Sequence, residues 1–285
     1  MVELDRQQAR TESGDRKLSI QAVVSDDPRR AEPLRDALHQ VRPRLRPQVV
    51  HTCVRTVPGG RPDLAAAALA KMLVRRPQGV LTDLSDDPDV VEQATALMRA
   101  GIPVVTLGRP LPERASLGHS GLDQRAAGAT AAYLLGRSHP TGGFAVARSE
   151  TSTPVEQDRF AAFTATMDEL RPDAQVTSFA LEDTMSVDLR EHGGVYVAAE
   201  RAASATALSR IRDLAGPAAT IVGHREVDAV PRTTFQTVDF ALGVSWAAVV
   251  AEACRAVLAF HRQGSGRVVV APTRPSVLTP YNLEL

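Results

Sequence analysis

Several short motifs contain residue types that are used in catalysis, but the spacing of these residues does not match the known catalytic motifs. Residues 118–122 (GHSGL) end in leucine where the G-x-S-x-G turn of serine hydrolases needs glycine. Glu191 and His192 lack the second histidine of an H-E-x-x-H zinc site, and residues 264–266 (GSG) lack the rest of a phosphate-binding loop. The sequence therefore predicts a binding protein rather than an enzyme, with neither cofactor nor metal.

Carboxylates and arginines next to apolar segments are the better candidates for chemistry. Asp26 and Asp27 follow the apolar segment 18–24 directly, where they can bind ligand hydroxyls or simply cap the helix that follows. A guanidinium group pairs its N–H donors with a carboxylate, a phosphate or a vicinal diol. Which of these side chains can act together depends on the strands and helices that carry them.

Apolar segments of strand length alternate with segments of helical period along the chain. The expected strands cover residues 18–24, 49–54, 79–82, 103–107, 144–147, 175–181, 194–198, 220–223 and 267–271, with a short extended segment at 233–237. The expected helices cover residues 29–41, 63–74, 88–100, 123–136, 154–170, 200–214 and 239–262. This alternation is typical of parallel strands joined by helical crossovers.

A glycine- and proline-containing break at 138–143 divides the alternation into two halves. We therefore expect an α/β protein with two doubly wound parallel-sheet lobes and a ligand cleft between them, at the carboxyl ends of the strands. The expected leader is 1–17. The expected lobes are 18–140 with 238–265, and 141–237 with 266–285.

Composition excludes several classes of protein. Basic and acidic residues number 33 each, so no net field attracts nucleic acid or anionic lipid. Cys53 and Cys254 stand far apart and suggest neither a disulfide framework nor a metal site. No apolar run approaches the ~18 residues of a membrane helix, and the leader has no apolar signal region. We expect a cytoplasmic protein without a membrane partner.

Weak motifs follow one another in a consistent order. They are residues 78–81 (QGVL), 101–107 (GIPVVTL), 122–124 (LDQ) with Gly128, 158–163 (DRFAAF), 221–223 (IVG) and 238–243 (VDFALG). Together they resemble the LacI/GalR family of transcriptional regulators and the type I periplasmic sugar-binding proteins. The resemblance implies a core that closes on a small molecule, and in regulators a separate DNA-binding headpiece.

The resemblance also implies a set of ligand-binding residues. Arg109 stands in an Asp-Arg position whose acid is Gly108 here, and Arg159 matches a ligand-facing arginine. Arg225 stands where a carboxylate is usual, which reverses the charge. Gln236 and Asp239 are the candidates at the third crossover, and the spacing does not decide which of them faces the cleft. Arginines without matching acceptors favour an anionic ligand.

The sequence therefore predicts the effector-binding core of a LacI-type regulator that works by lobe closure. Its partners would be a small-molecule effector and a second copy of the chain. A helix-turn-helix headpiece needs ~50 residues with its own core. Because the first strand begins near residue 18, we expect DNA binding only if a longer chain supplies a headpiece. A transporter's solute-binding protein and a degenerate, ligand-free interaction domain are the alternatives.

Overall fold

The computed structural model describes residues 18–45, 50–108, 110–184, 186–199, 205–225, 230–263 and 268–283. The chain divides into two compact units. The first contains residues up to Gly121 together with Trp246–Thr273, and the second contains Leu122–Ser245 with the segment from Arg274. Each unit is built on its own sheet.

The first unit has a five-stranded parallel sheet in the order β2-β1-β3-β4-β5. Its strands are β1 (Leu18–Ser25), β2 (Val50–Val57), β3 (Gly79–Asp83), β4 (Val104–Leu107) and β5 (Gly118–Ser120). Its helices are α1 (Pro28–Val41), α2 (Pro62–Arg75), α3 (Pro88–Arg99) and, from later in the chain, α7 (Trp246–Gln263).

Helices cover both faces of this sheet, which explains why the strands β3 and β4 are buried at every residue. Helices α2 and α3 pack on one face around Leu69, Val90 and Leu97, which are completely buried. Helices α1 and α7 pack against each other, and α7 also contacts β4 and β5. The sheet therefore presents its polar residues where the strands end.

The second unit has a six-stranded sheet in the order β11-β10-β9-β8-β6-β7, parallel except for the antiparallel β11. Its strands are β6 (Gly143–Arg148), β7 (Val176–Ala180), β8 (His192–Val197), β9 (Thr220–His224), β10 (Phe240–Gly243) and β11 (Ser276–Leu278). Its helices are α4 (Gln124–Ser138), α5 (Pro154–Leu170) and α6 (Ala205–Ala215). Helices α4 and α5 bury Ala131, Leu135 and Phe163 against one face of the sheet.

Capping residues explain where two of these helices begin. The Asp123 carboxylate accepts a hydrogen bond from Ala126 N at 2.9 Å and starts α4. The Thr153 hydroxyl accepts one from Glu156 N at 3.3 Å before Pro154, the first residue of α5. Each cap satisfies an amide that would otherwise lack a partner at the start of a helix. Both helices therefore begin near the carboxyl end of the second sheet.

The two-lobed α/β class is confirmed, but the structure divides the chain at different places from those expected. Helix α4 was assigned to the first lobe, yet it packs against α5 and β8 of the second unit. Gly128 shows how close this packing is, because a Cβ built there would lie 2.1 Å from the Arg159 carbonyl oxygen. The boundary thus falls at residue 121, before the helix rather than after it.

Some elements also differ from the sequence expectation. The helix expected from 239 begins at Trp246, because Phe240–Gly243 form β10, which lies between β11 and β9 in the second sheet. Residues 232–236 form a 3-10 helix rather than an extended segment. Residues 268–271 form no strand, and Ser276–Leu278 provide the antiparallel β11 instead. Strand β5 was not predicted, since three residues are too few to produce a hydrophobic period.

Candidate functional site

A group of polar side chains lies at the carboxyl end of the second sheet, where the core would otherwise be apolar. We call Gln124, Arg159, Tyr196 and His224 the polar cluster. Arg159 is only 5% exposed, and its Nη1 donates to the carbonyl oxygens of Ala198 at 3.0 Å and Ala199 at 3.3 Å. Its Nε donates to Gln124 Oε1 at 2.7 Å. The guanidinium therefore joins α4 and α5 to the end of β8.

Tyr196 and His224 form the second half of the polar cluster. The Tyr196 hydroxyl lies 2.8 Å from His224 Nε2, and the Tyr196 ring stacks on Phe163 with 5.1 Å between centroids. Burial raises the pKa of Tyr196, although the positive charge of Arg159 opposes this shift. The phenol therefore keeps its proton and can donate it to His224 Nε2.

His224 is neutral in this environment. Burial, with the nearby charges of Arg159 and Arg225, lowers its pKa well below the ordinary value. When Nε2 accepts from Tyr196, the ring proton of the neutral imidazole lies on Nδ1. That nitrogen is buried and has no hydrogen-bond partner among the described residues. The polar cluster thus contains a buried nitrogen whose hydrogen bond no described residue satisfies.

The neutral His224 predicts how stability depends on pH. Since the unfolded chain takes up this proton near pH ~6.5 while the folded chain does not, stability is fully present above that pH. It then falls with decreasing pH, by up to about 1.4 kcal/mol per pH unit, until the pH reaches the folded-state pKa. Urea unfolding from pH 7.5 to 4.5 should show this slope in the wild type and a shallower one in His224→Gln.

The matched control for this measurement is His51→Gln, because His51 is exposed on β2 in the first unit. This variant should keep the wild-type slope. Equal slopes in the wild type and His224→Gln would mean that His224 takes up its proton in the folded state as easily as in the unfolded chain.

Further charged groups surround the polar cluster in the second unit. Arg225 follows β9 and donates from Nη1 to its neighbour's carbonyl, His224 O, at 2.9 Å, and partial burial lowers its pKa. The Arg148 guanidinium at the end of β6 lies over the Phe160 ring, 4.3 Å from its centroid. The buried Glu156 carboxylate accepts from the Ser149 hydroxyl at 2.7 Å and the Ser149 amide at 3.1 Å.

Three of the predicted site residues lie at the carboxyl end of a sheet. Arg159 and Arg225 do so in the second unit. Asp26 does so in the first, where its exposed carboxylate accepts from Gly59 N at 3.0 Å and ties the end of β1 to the loop after β2. Their roles in ligand binding stay predictions. Arg109 lies outside the described residues.

Gln236 and Asp239 lie elsewhere in the second unit, and their role in ligand binding also stays a prediction. Asp239 precedes β10, and its carboxylate accepts from Ile221 N at 2.7 Å and from Arg212 Nη2 at 2.6 Å. Because Ile221 is near the start of β9, this carboxylate serves the amino end of the sheet. Gln236 is exposed in the 3-10 helix that precedes β10. Neither joins the polar cluster.

Sequence reasoning missed Gln124, Tyr196 and His224. Tyr196 did leave a signal, since it is the polar aromatic side chain within the buried stretch 194–199. Gln124 and His224 left none, because their partners lie on other elements far away in sequence. Only the fold brings these side chains together.

Three further features of the described residues concern pockets, metal sites and membrane helices. A pocket of about 410 Å³ runs along α3 in the first unit, where Asp86, Glu92, Arg99 and Arg114 give it no net charge. Within the described ranges, no three His, Cys, Asp or Glu side chains are grouped so that they can hold a metal ion. No helix in those ranges is long and apolar enough to cross a membrane.

Several solved structures have a fold similar to that of this chain. The periplasmic ribose ABC transporter protein of Conexibacter woesei aligns with a TM-score of 0.72 at 11% identity, over 95% of this chain and 94% of that one. AraP, an arabinose binding protein from Geobacillus stearothermophilus, aligns with a TM-score of 0.70 at 15% identity, over 94% and 98%. A Bacteroides fragilis protein assigned as a LacI transcriptional regulator aligns with a TM-score of 0.62 at 13% identity, over 94% and 98%.

These identities show the fold alone, which is that of the type I periplasmic binding proteins. No curated protein sequence matches the chain significantly. The family model for the periplasmic binding protein domain matches residues 58–213, which is more than half of the chain. The chain therefore belongs to the periplasmic binding protein domain family.

Proposed function

We propose that this chain binds a small sugar-like molecule reversibly, as a solute-binding protein does, and that the ligand carries an anionic group. The observation that carries the proposal is the polar cluster at the carboxyl end of the second sheet. Open α/β sheets bind their ligands at this end, because loops and helix N-termini meet there. The ribose and arabinose proteins with the same fold support a ligand of this size and polarity.

The polar cluster lowers the stability of the fold as long as no ligand satisfies its unpaired nitrogen. A buried polar group without a partner costs about 1–3 kcal/mol, and His224 Nδ1 has no partner among the residues that the structure describes. A ligand oxygen that accepts from Nδ1 removes this cost on binding. The unsatisfied donor therefore supports ligand binding better than it supports a purely structural role.

The charges near the polar cluster support an anionic group on the ligand. Arg225 is half-buried, so its attraction for an anion is less screened than at the open surface. The neutral His224 contributes a donor without adding charge. A carboxylate or phosphate can accept from both, whereas a neutral sugar leaves the charge of Arg225 uncompensated.

The second candidate is the effector-binding core of a LacI-type regulator. The ordered motifs of the sequence favour it, as does the fold of the Bacteroides fragilis protein. The two candidates differ in partner, since a regulator core acts as a dimer with a DNA-binding headpiece and a solute-binding protein delivers its ligand to a transporter. Cell fractionation separates them, and the cytoplasmic location, the dimer and lobe closure stay predictions.

Isothermal titration tests the proposed function directly. We expect the wild-type chain to bind at least one of D-ribose, D-arabinose, D-gluconate and D-ribose 5-phosphate, with an anionic compound bound most tightly. Arg225→Gln should weaken the anionic compounds about tenfold, because it removes a charge-assisted hydrogen bond. Arg210→Gln changes an exposed arginine on α6 and should leave every affinity unchanged.

Failure of all four compounds to bind would contradict the proposed function and favour the ligand-free interaction domain. Tighter binding of the neutral sugars than of the anions would support reversible binding of a sugar-like molecule. It would contradict the proposal that the ligand carries an anionic group.

A further inference from the structure

Tyr196 and His224 lie on neighbouring strands of the second sheet, near its carboxyl end. Tyr196 is the last residue but one of β8, and His224 is the last residue of β9. The register pairs Tyr196 with Val222, so His224 lies two residues further along β9 and on the same face of the sheet. The hydrogen bond of 2.8 Å between the Tyr196 hydroxyl and His224 Nε2 therefore follows from the sheet register.

The direction of this hydrogen bond follows from what each arrangement leaves unpaired. If the Tyr196 hydroxyl donates, only the N–H at His224 Nδ1 lacks a partner among the described residues. If Nε2 donates instead, both the phenol proton and the Nδ1 lone pair lack one. Each buried polar group without a partner costs about 1–3 kcal/mol. The first arrangement is therefore more stable, and its ring proton lies on Nδ1.

This proton lies beside a second donor. Nδ1 is bonded to Cγ and is closer to the backbone than Nε2 is. Arg225 folds back on the same backbone and donates from Nη1 to the His224 carbonyl at 2.9 Å. Two consecutive residues at the end of β9 thus carry an N–H donor and a guanidinium. Such a pair matches the two oxygens of a carboxylate, which accepts hydrogen bonds and donates none.

We infer that Tyr196 is a specificity-determining residue of the proposed site: it keeps His224 Nδ1 a donor and so favours a sugar acid over the corresponding alcohol. This inference rests on the proposed function and names the ligand class. Tyr196 acts through His224 and is a positioning residue, whose ring is held by stacking on Phe163. Without the hydroxyl the ring proton can move to Nε2. The Nδ1 lone pair then repels a carboxylate oxygen, whereas an alcohol can donate to it.

The first test observes the imidazole nitrogens directly, because Nδ1 is buried and a ligand oxygen must displace neighbouring atoms to contact it. Nuclear magnetic resonance of the full chain with 15N-labelled histidine should show the Nδ1–H tautomer of His224 at pH 7.5. Tyr196→Phe should show a larger share of Nε2–H, and saturating D-gluconate should shift the wild-type Nδ1 signal. An Nε2–H tautomer in the wild type, or an Nδ1 signal unchanged by bound D-gluconate, would overturn the inference.

The second test compares D-gluconate with D-glucitol by titration calorimetry, since the two differ only in the carboxylate or alcohol at C1. Tyr196→Phe should lower the ratio of the affinity for D-gluconate to that for D-glucitol about 5- to 10-fold. Tyr133→Phe is the matched control, because it removes the hydroxyl of an exposed tyrosine on α4. It should keep the wild-type ratio. A thermal melt shows whether each variant is folded.

The same substitution in a His224→Gln chain separates positioning from packing. There Tyr196→Phe should not change the ratio further, because its effect passes through the imidazole. If the hydroxyl only stabilised the fold, its removal would lower the melting temperature and leave the ratio unchanged in the wild-type chain as well. That result would overturn the inference.

The inference and the proposed function fail in different ways. Wild-type binding of D-ribose 5-phosphate or of a neutral sugar, but not of D-gluconate, would overturn the inference and leave reversible ligand binding in place. Failure of the wild type to bind any of these compounds would overturn both.

Discussion

Arg159→Ala is expected to lower the free energy of unfolding by about 3–5 kcal/mol, the largest effect among the variants considered. The substitution leaves buried acceptors at Ala198, Ala199 and Gln124 without the donor that now satisfies them. It also leaves a cavity between α5 and the end of β8. Urea denaturation at pH 7.5 measures the loss.

The control is Arg125→Ala, which removes an exposed arginine of α4. Arg125 lies 3.5 Å from Asp158, and 70% of its side chain is exposed. Such a surface pair contributes about 0–1 kcal/mol. If Arg159→Ala costs no more than Arg125→Ala, the contacts of the Arg159 guanidinium do not hold the second unit together.

Gly128→Ala is expected to destabilise the second unit by about 3 kcal/mol, although it places a better helix former in the middle of α4. In an open helix this change stabilises by about 0.5–1 kcal/mol. At Gly128 the new Cβ would meet the Arg159 carbonyl oxygen at 2.1 Å, so α4 and α5 must move apart. Chemical denaturation of the purified variant measures the sign and size of the change.

Gly136→Ala on the same helix is the matched control. A Cβ there meets Met167 Sδ at 3.6 Å, which is ordinary van der Waals contact with a flexible side chain. We therefore expect this variant to be unchanged or more stable, by up to about 1 kcal/mol. Stabilisation by both substitutions would show that the helices are not packed as closely as described.

Most of the fold follows from features that are local in the sequence. Strand β3 and helix α3 could be predicted from a short apolar run and from the Asp87-Pro88 cap, whose carboxylate accepts from Asp89 N at 3.1 Å. The error at Phe240–Gly243 arose because a four-residue buried strand beside a long helix has no distinct period. The error over α4 arose because loop composition does not reveal which unit a helix packs against.

The candidate site was less predictable, because its contacts join distant parts of the chain. Arg159 was predicted as a ligand-facing arginine, and that role stays a prediction, although the structure places the residue at the carboxyl end of the sheet. Its hydrogen bonds to Ala198 and Ala199 could not be predicted, since nothing near Arg159 in sequence indicates them. The position of Asp239 at the amino end of the sheet could not be predicted, because a carboxylate beside a strand looks alike in sequence at either end.

The sequence indicates that a carboxylate acceptor is lost at position 108, and the structure shows that this loss is smaller than expected. Gly108 removes a carboxylate from the end of β4, but Asp83 places one within 2.8 Å of where a Cβ at 108 would be. A comparison of aligned positions cannot detect such a replacement, because the two residues lie on neighbouring strands.

Hydrogen–deuterium exchange shows directly whether a ligand binds at the carboxyl ends of the strands of the second sheet. The wild-type chain is compared with and without a saturating concentration of whichever probe sugar or sugar acid binds most tightly. We predict slower exchange in the peptides that end the strands of the second sheet, which cover residues 148–153, 196–199 and 223–225. Slower exchange confined to the amino ends of the strands, around 218–221 and 236–240, would show that the ligand does not bind at the carboxyl ends. No change in exchange anywhere would also contradict binding there.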